Sequence, residues 1–376
     1  MNKKLIAVAL AALPVAAMAD VTLYGSLNAG LEHDTATNAA SNSGVHDYTS
    51  IIGFKGTEDL GNGLKTVWQV ENRVVIGGDS KTYGGSSNQL ASRQSFVGLD
   101  GGNLGQVRIG LINSSLKDLY NVDQWQYDGE MSNYKQTSST SSYNSGVNGL
   151  AVMTNQASRL KNAIRYDSAT FYGFSANAVY GFGENKTTSV TKASDIASVG
   201  LNYSISDFNF HYAYQKEFNP SNGTNANLTS SSPNSAHINY FEAGYNANNL
   251  YVGLAYQDMV GYDWTDEFAG DSNGSTGTAL TNQLKSREAA LSVAYTIGAF
   301  TPKFTYAKGW DQEQGGSSIS NTGYQQYVVG VDYALSKRTT AEFAYGRLKA
   351  DSASSLAVNG ADTTYSTLAL SMMHNF

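Results

Sequence analysis

The chain of 376 residues carries five histidines, His33, His46, His211, His237 and His374, and no cysteine. Zinc chemistry needs imidazoles, thiolates or carboxylates at a few fixed spacings, and nucleophilic catalysis needs a serine served by a histidine and an acid. The histidines fall on different candidate strands and loops, with neither signature beside them. Glu58 and Asp59 stand in EDLGNGL, where Gly61 and Gly63 supply the permissive backbone of a tight turn, so this pair reads as turn chemistry. No enzyme activity, cofactor or metal is expected. What remains is fixed charge. Lys55, Lys65, Arg73 and Arg108 occupy polar phases of candidate strands, and the segment from Ile112 to Lys161 holds Asp118, Asp123, Asp128 and Glu130, with Arg159 and Lys161 at its far end. Charges so placed can act at a distance through their field without making bonds.

The elements that must position these charges begin after a leader. Lys3 and Lys4 precede an apolar run from Leu5 to Val15, and Ala17-Met18-Ala19 presents small residues where a signal peptidase cuts. The run is too short for a spanning helix, so residues 1–19 are expected to be a cleaved signal peptide and 20–376 a single exported domain. Loss of Lys3 and Lys4 takes the balance from 24 basic and 31 acidic residues to 22 and 31, a net charge of −9. An acidic chain lacks the basic patch that nucleic acid requires. Without cysteine, no disulfide can staple it.

Composition alone leaves two classes open. Thirty-eight Gly, 25 Tyr and only 4 Pro, with a mean hydropathy of −0.32, suit a soluble β protein as well as a membrane barrel. In a barrel wall, lipid-facing and lumen-facing residues alternate and average out as polar.

Periodicity separates the two. Val21, Leu23, Gly25, Leu27, Ala29 and Leu31 share one phase, against Thr22, Tyr24, Ser26, Asn28 and Glu32 on the other. The alternation returns at Leu64–Arg73, Val199–Ile205, Phe208–Tyr214, Leu250–Tyr256, Leu291–Tyr295, Tyr327–Tyr333, Thr339–Tyr345 and Leu368–Phe376. Weaker stretches bring the expected count to sixteen strands.

Connections alternate short and long. Short turns are expected at Glu58 to Gly63, Asp100 to Gly105, Ser168 to Gly173, Ser206-Asp207, Asn246 to Asn249, Ile297 to Ala299 and Ala334 to Lys337. Between them lie long polar segments, the longest from Ile112 to Lys161. Short turns on one rim and long loops on the other predict an all-β, up-and-down antiparallel transmembrane barrel, since a sheet in hydrocarbon must close on itself to pair every backbone group. Scarce proline spares the ladder, and tyrosine suits the two membrane interfaces.

Five motifs in register carry a resemblance. DVTLYGSLNAGLE (Asp20 to Glu32), GFKGTEDLGNGLKTVWQVE (Gly53 to Glu71), SRQSFVGLDGGNLGQVRIG (Ser92 to Gly110), YALSKRT (Tyr333 to Thr339) and the ending HNF (His374 to Phe376) resemble the trimeric Gram-negative porins, particularly those of β-proteobacteria such as Neisseria and Burkholderia. The resemblance implies a trimer of sixteen-stranded barrels in the outer membrane, each with its third loop folded into the lumen. It further implies a water-filled channel for passive diffusion of ions and small hydrophilic solutes. Phe376 would be the terminal aromatic residue that the barrel-assembly machinery reads, with outer-membrane lipid around the wall.

In such a channel, function lies in the charges at the narrowest point. The resemblance places Arg93 inward, with Arg73, Arg108, Lys55 and Lys65 on matching phases and Arg159 and Lys161 at the loop's end. Asp118, Asp123, Asp128 and Glu130 would form the acidic wall opposite. Relatives often carry arginine two residues before the glycine of GFKG, where this chain has Ile51, so an anion preference does not carry over. Two other functions have their own signatures. Trp125, Tyr127, Tyr134 and Tyr143 would form the aromatic track of a channel selective for an oligosaccharide or organic acid, and the segment from Asp258 to Ser286 would serve a surface adhesin.

Overall fold

Val21, Leu23, Leu27 and Leu31 are exposed while Asn28, Glu32 and Asp34 are buried, so the first strand points its apolar phase outward and its polar phase inward. Water alone would oppose that arrangement, because each large side chain left exposed forgoes roughly 1.5–3 kcal/mol of burial. A lipid surround removes the penalty. The same belt of outward Leu, Val, Ile, Phe and Tyr continues on nearly every strand, from Val97 and Ile109 through Leu254 and Phe304 to Leu370 and Met372.

The computed structural model describes residues 20–376 except 38–40, 77–89, 120, 128–148, 151–158, 185–192, 194, 219–234, 262–283, 355 and 358–359. The expected leader, Asp128, Glu130, Tyr134, Tyr143 and most of the 258–286 segment lie outside the described residues.

Sixteen strands form the wall. They are β1 Asp20–Ala36, β2 Ile51–Gly61, β3 Leu64–Arg73, β4 Ser95–Asp100, β5 Gln106–Asn113, β6 Arg159–Asp167, β7 Phe174–Gly181 and β8 Ile196–Ile205. The second half comprises β9 Phe208–Phe218, β10 Ser235–Ala247, β11 Leu250–Gly261, β12 Leu284–Tyr295, β13 Phe300–Gly309, β14 Tyr324–Ala334, β15 Thr339–Ala350 and β16 Thr363–Asn375. Every neighbouring pair is antiparallel and consecutive. β1 meets β16 from Ser26 opposite Asn375 to Ala36 opposite Tyr365, so the sheet closes. Gly25 and Phe376 seal the seam with two backbone hydrogen bonds of 3.2 and 3.1 Å.

Four expectations are corrected in detail. The Glu58 to Gly63 turn is shorter than expected: β2 runs through to Gly61, and only Asn62 and Gly63, at φ 54° and 79°, make the left-handed two-residue turn that suits a hairpin. The third long segment starts later and ends earlier, since Ile112 belongs to β5 and Arg159 and Lys161 to β6. A bulge hides this from periodicity: Gly110 faces Ala163 but Ile112 faces Leu160, and Lys161 and Asn162 are both exposed. Asn42–Asp47 in the first long segment pairs with β1 above β2, as a continuation of β2 broken at Tyr48–Ser50. In the segment after β13, Gln312–Gln314 and Ser317–Ile319 form a small hairpin.

Candidate functional site

Beyond β5 the chain does not rise from the rim but bends inward through a turn in which the amides of Lys117 and Leu119 donate to Ser114 and Leu116 at 3.1 Å. Leu116, Leu119, Val122 and Trp125 recur every third residue and are all buried. They press on inward side chains of the wall that are mostly small: Ala213, Ala236, Ala255, Ala290, Ala307, Ala344 and Ala369. Those alanines leave a shelf deep enough to hold a strand of chain inside the barrel. The apolar contact is the energetic reason this loop lies in the lumen.

Hydrogen bonds then strap the loop to successive strands. The Ser115 amide donates to Ser198 of β8 at 3.1 Å, and Tyr251 of β11 donates to the Asn121 carbonyl at 2.5 Å. Glu242 of β10 accepts from the backbone of Asn121 and Val122. Lys303 of β13 donates to the Gln124 carbonyl at 2.7 Å, and the Trp125 indole donates to Thr305 at 3.0 Å. The Gln126 amide donates to Glu342 of β15 at 3.2 Å, and Asn28 of β1 donates to the Gln126 carbonyl at 2.7 Å. Tyr127 ends this stretch edge-on to Tyr48, with ring centroids 4.8 Å apart. Burial, and next the Glu342 charge, push the Tyr127 hydroxyl well above the ordinary tyrosine value, so it stays neutral. On its return the loop touches the wall at Gly149, whose amide donates to Thr367 at 3.0 Å and whose carbonyl accepts from Gln326 at 2.8 Å. Gly346 lies against it so closely that a Cβ there would fall 2.0 Å from the Gly149 oxygen.

The described loop therefore covers the inner wall from β8 round to β1. The wall that the described loop residues do not cover, β2 to β6, carries the cations. Lys55 lies over the Tyr24 ring at 5.0 Å, and Tyr24 donates to Glu71 at 3.0 Å. Arg93, two residues before β4, pairs with Glu71 at 2.8 Å, and Arg73 with Asp47 at 3.5 Å. Arg108 lies over the Phe96 ring at 4.9 Å and pairs with Asp167 at 2.5 Å. Arg165 joins Asp167 at 2.7 Å and forms an ion pair with Asp118, which also accepts from Asn113 at 3.1 Å. Asp118 is thus tied to β6 at the loop's stem. Asp123 is half-buried and accepts from the Trp125 amide at 3.1 Å.

Not all the expected residues converge. Arg159 donates to Asn113 at 3.1 Å near the loop's stem, Lys161 is exposed on the bulge, and Lys65 is exposed beside the β2–β3 turn. Conversely, Arg165, Glu71 and Asp167 join the cationic wall without having been singled out from sequence. Lys303 is another such residue: it is paired with Glu342, with Asp332 at 2.8 Å, and lies over the Trp125 ring at 4.6 Å. The available signal was a charge on the inward phase of a strand otherwise lined by small residues, as in FTPKFTYAKG and TTAEFAYGRLKA.

The sequence profile of the Gram-negative porins matches residues 7–353. The chain is 36% identical over 359 residues to the major outer membrane protein P.IB of Neisseria meningitidis serogroup B, covering 93% of this chain and 94% of that one. Among solved structures, the anion-selective porin from Comamonas acidovorans superposes with a TM-score of 0.68 at 21% identity, over 95% of this chain and all of the other. The trimer form of OmpT from Vibrio cholerae superposes with a TM-score of 0.59 at 15% identity, over 95% and 99%.

Proposed function

This chain belongs to the Gram-negative porin family and forms a water-filled channel across the outer membrane, and from that premise we propose that its selectivity is set by the gap between residues 117–127 and the wall of β2 to β6. The observation that carries the reading is the strapping of the loop to β8, β10, β11, β13, β15 and β1, which leaves the cationic wall facing it across the lumen. Ions and small hydrophilic solutes pass by diffusion. Lys55, Arg73, Arg93, Arg108 and Arg165 supply five positive charges there, against Asp47, Glu71, Asp118, Asp123 and Asp167. Opposed charges in equal number give a steep transverse field with little net preference for either sign. The anion selectivity of the Comamonas porin is not expected of this chain.

The functional unit is a homotrimer. The trimer form of the Vibrio relative supports this, as does the outer face of β1, where Val21, Leu23, Leu27 and Leu31 alternate with Gly25 and Ala29 into a surface flat enough to pack on a neighbour. Planar-bilayer recording of the purified protein tests both statements. Conductance should appear in steps of three equal levels, with a reversal potential near zero in a salt gradient, and unboiled protein should run as an oligomer in detergent gels. A strong preference for one sign of ion, or a purely monomeric conducting species, would overturn the corresponding part.

A further inference from the structure

We propose that Glu32, Asp34 and His46 form a binding site for a divalent transition metal of the zinc class, on the inner wall beside the third loop. Glu32 and Asp34 are two apart on β1 and so share its inward face. His46 stands on the neighbouring segment Asn42–Asp47, opposite Gly30. Twelve to fourteen residues of sequence separate the histidine from the acids, a spacing that signals nothing, yet antiparallel pairing brings one donor atom of each within 4.8 Å of the others. A tetrahedral zinc with bonds of about 2.0–2.2 Å spans donors roughly 3.4 Å apart, so modest rotation of three side chains closes the site.

The surroundings look built for it. Glu32 and Asp34 are only 5% and 6% exposed, and burying a carboxylate such as Asp34 is costly without positive charge beside it. Among the described residues no lysine or arginine forms an ion pair with Asp34. Each acid is oriented by a hydroxyl: Tyr48 donates to Glu32 at 2.5 Å and Thr367 donates to Asp34 at 2.6 Å. Such donors behind the ligands fix a carboxylate's free lone pair toward a metal. Gly44 faces Glu32 across the pair of strands, and a Cβ there would crowd the His46 Nε2 at 3.3 Å, so the missing side chain gives the imidazole its space. His46 also stacks on Tyr48, centroids 6.5 Å apart at 19°.

The donor set chooses the metal. Two oxygens and an imidazole suit zinc, nickel or copper, whereas calcium and magnesium prefer oxygen alone, and lumen water completes the fourth position. Because Tyr48 packs on Tyr127, a bound ion adds positive charge beside the loop tip.

Equilibrium dialysis of the refolded, untagged oligomer against zinc chloride tests the site. Wild type and the control His33→Gln should each hold one zinc per protomer, released by chelator, and bilayer reversal potentials should shift toward anions when zinc is added. His46→Gln and Asp34→Asn should lose the saturable zinc and the shift while keeping oligomer mobility in unboiled gels. Tyr48→Phe should bind about tenfold more weakly. Wild-type binding below one zinc per protomer, or His46→Gln binding as tightly as wild type, would overturn the proposal. If His46→Gln does not fold, the reversal shift in wild type, its absence with calcium, and its loss in Asp34→Asn decide the question.

Discussion

Lys303, in the middle of β13, passes its ammonium group to the main-chain oxygen of Gln124 in the third loop at 2.7 Å. The same group is paired with Glu342 and with Asp332, and only 3% of the lysine side chain is exposed. One cation therefore neutralises a carboxylate that the loop itself covers, since Glu342 also accepts the Gln126 amide. Wall and loop are held by a single charge network, and the position of the loop depends on that network remaining complete.

Removing the lysine should loosen the loop. Lys303→Met leaves Glu342 buried without its counter-ion, a change of the kind that costs roughly 3–5 kcal/mol. The oligomer should dissociate at lower temperature in detergent gels, and single channels should flicker between conductance levels. The double variant Lys303→Met/Glu342→Gln should recover much of the thermal stability, because the orphaned charge is gone. A single variant that melts and conducts like wild type would show that the network is incidental.

A second prediction concerns the seam. Phe376 exchanges two backbone hydrogen bonds with Gly25, and its ring lies where a Gly25 side chain would be, with Cζ 2.6 Å from a Cβ built there. Deleting Phe376 should leave export intact and sharply reduce the heat-modifiable form in the outer membrane. Phe376→Ala keeps both backbone bonds and removes only the ring. Equal loss in the two variants assigns the effect to recognition of the aromatic terminus, and normal levels of Phe376→Ala would assign it to closure of the sheet.

The wall was readable because period-two alternation survives wherever lipid lies on one side and water on the other, as in β1 and β16. It faded where the backbone departs from regular pairing. The bulge at Lys161 and Asn162 leaves two successive residues exposed, which breaks the alternation and makes the start of β6 look like loop. Charge phase pointed to Arg73, Arg108 and Lys55, and the family resemblance to Arg93, but neither says anything about partners across strands. Arg93 meets Glu71 after 22 residues and Arg165 meets Asp118 after 47, pairings that only the register of β4 against β3 and the folding of the loop create.

The last prediction turns on which cation at the open wall lacks a carboxylate. Arg93 is paired with Glu71 at 2.8 Å, whereas Lys55 lies over the Tyr24 ring and makes no ion pair among the described residues. Neutralising either one removes a unit of positive charge, so Lys55→Gln and Arg93→Gln should both shift the reversal potential toward cations. At about 10 Å in water a unit charge contributes roughly 0.4 kcal/mol, which is about a twofold change in the local concentration of each ion. The two differ in how they are rescued. Arg93→Gln/Glu71→Gln removes a neutral pair in contact and should return close to the wild-type potential, while Glu71→Gln should offset the Lys55→Gln shift only in part, because no ion pair among the described residues joins Lys55 to that carboxylate. Asp118→Asn removes a unit of negative charge, leaves Arg165 paired with Asp167 alone, and should move selectivity toward anions. All these shifts should shrink between 0.1 M and 1 M salt, as the Debye length falls from about 10 Å to about 3 Å. If Arg93→Gln keeps the wild-type reversal potential at low salt in intact oligomers, then the Arg93–Glu71 pair stands away from the conduction path and the gap beside β4 is not where ions are selected.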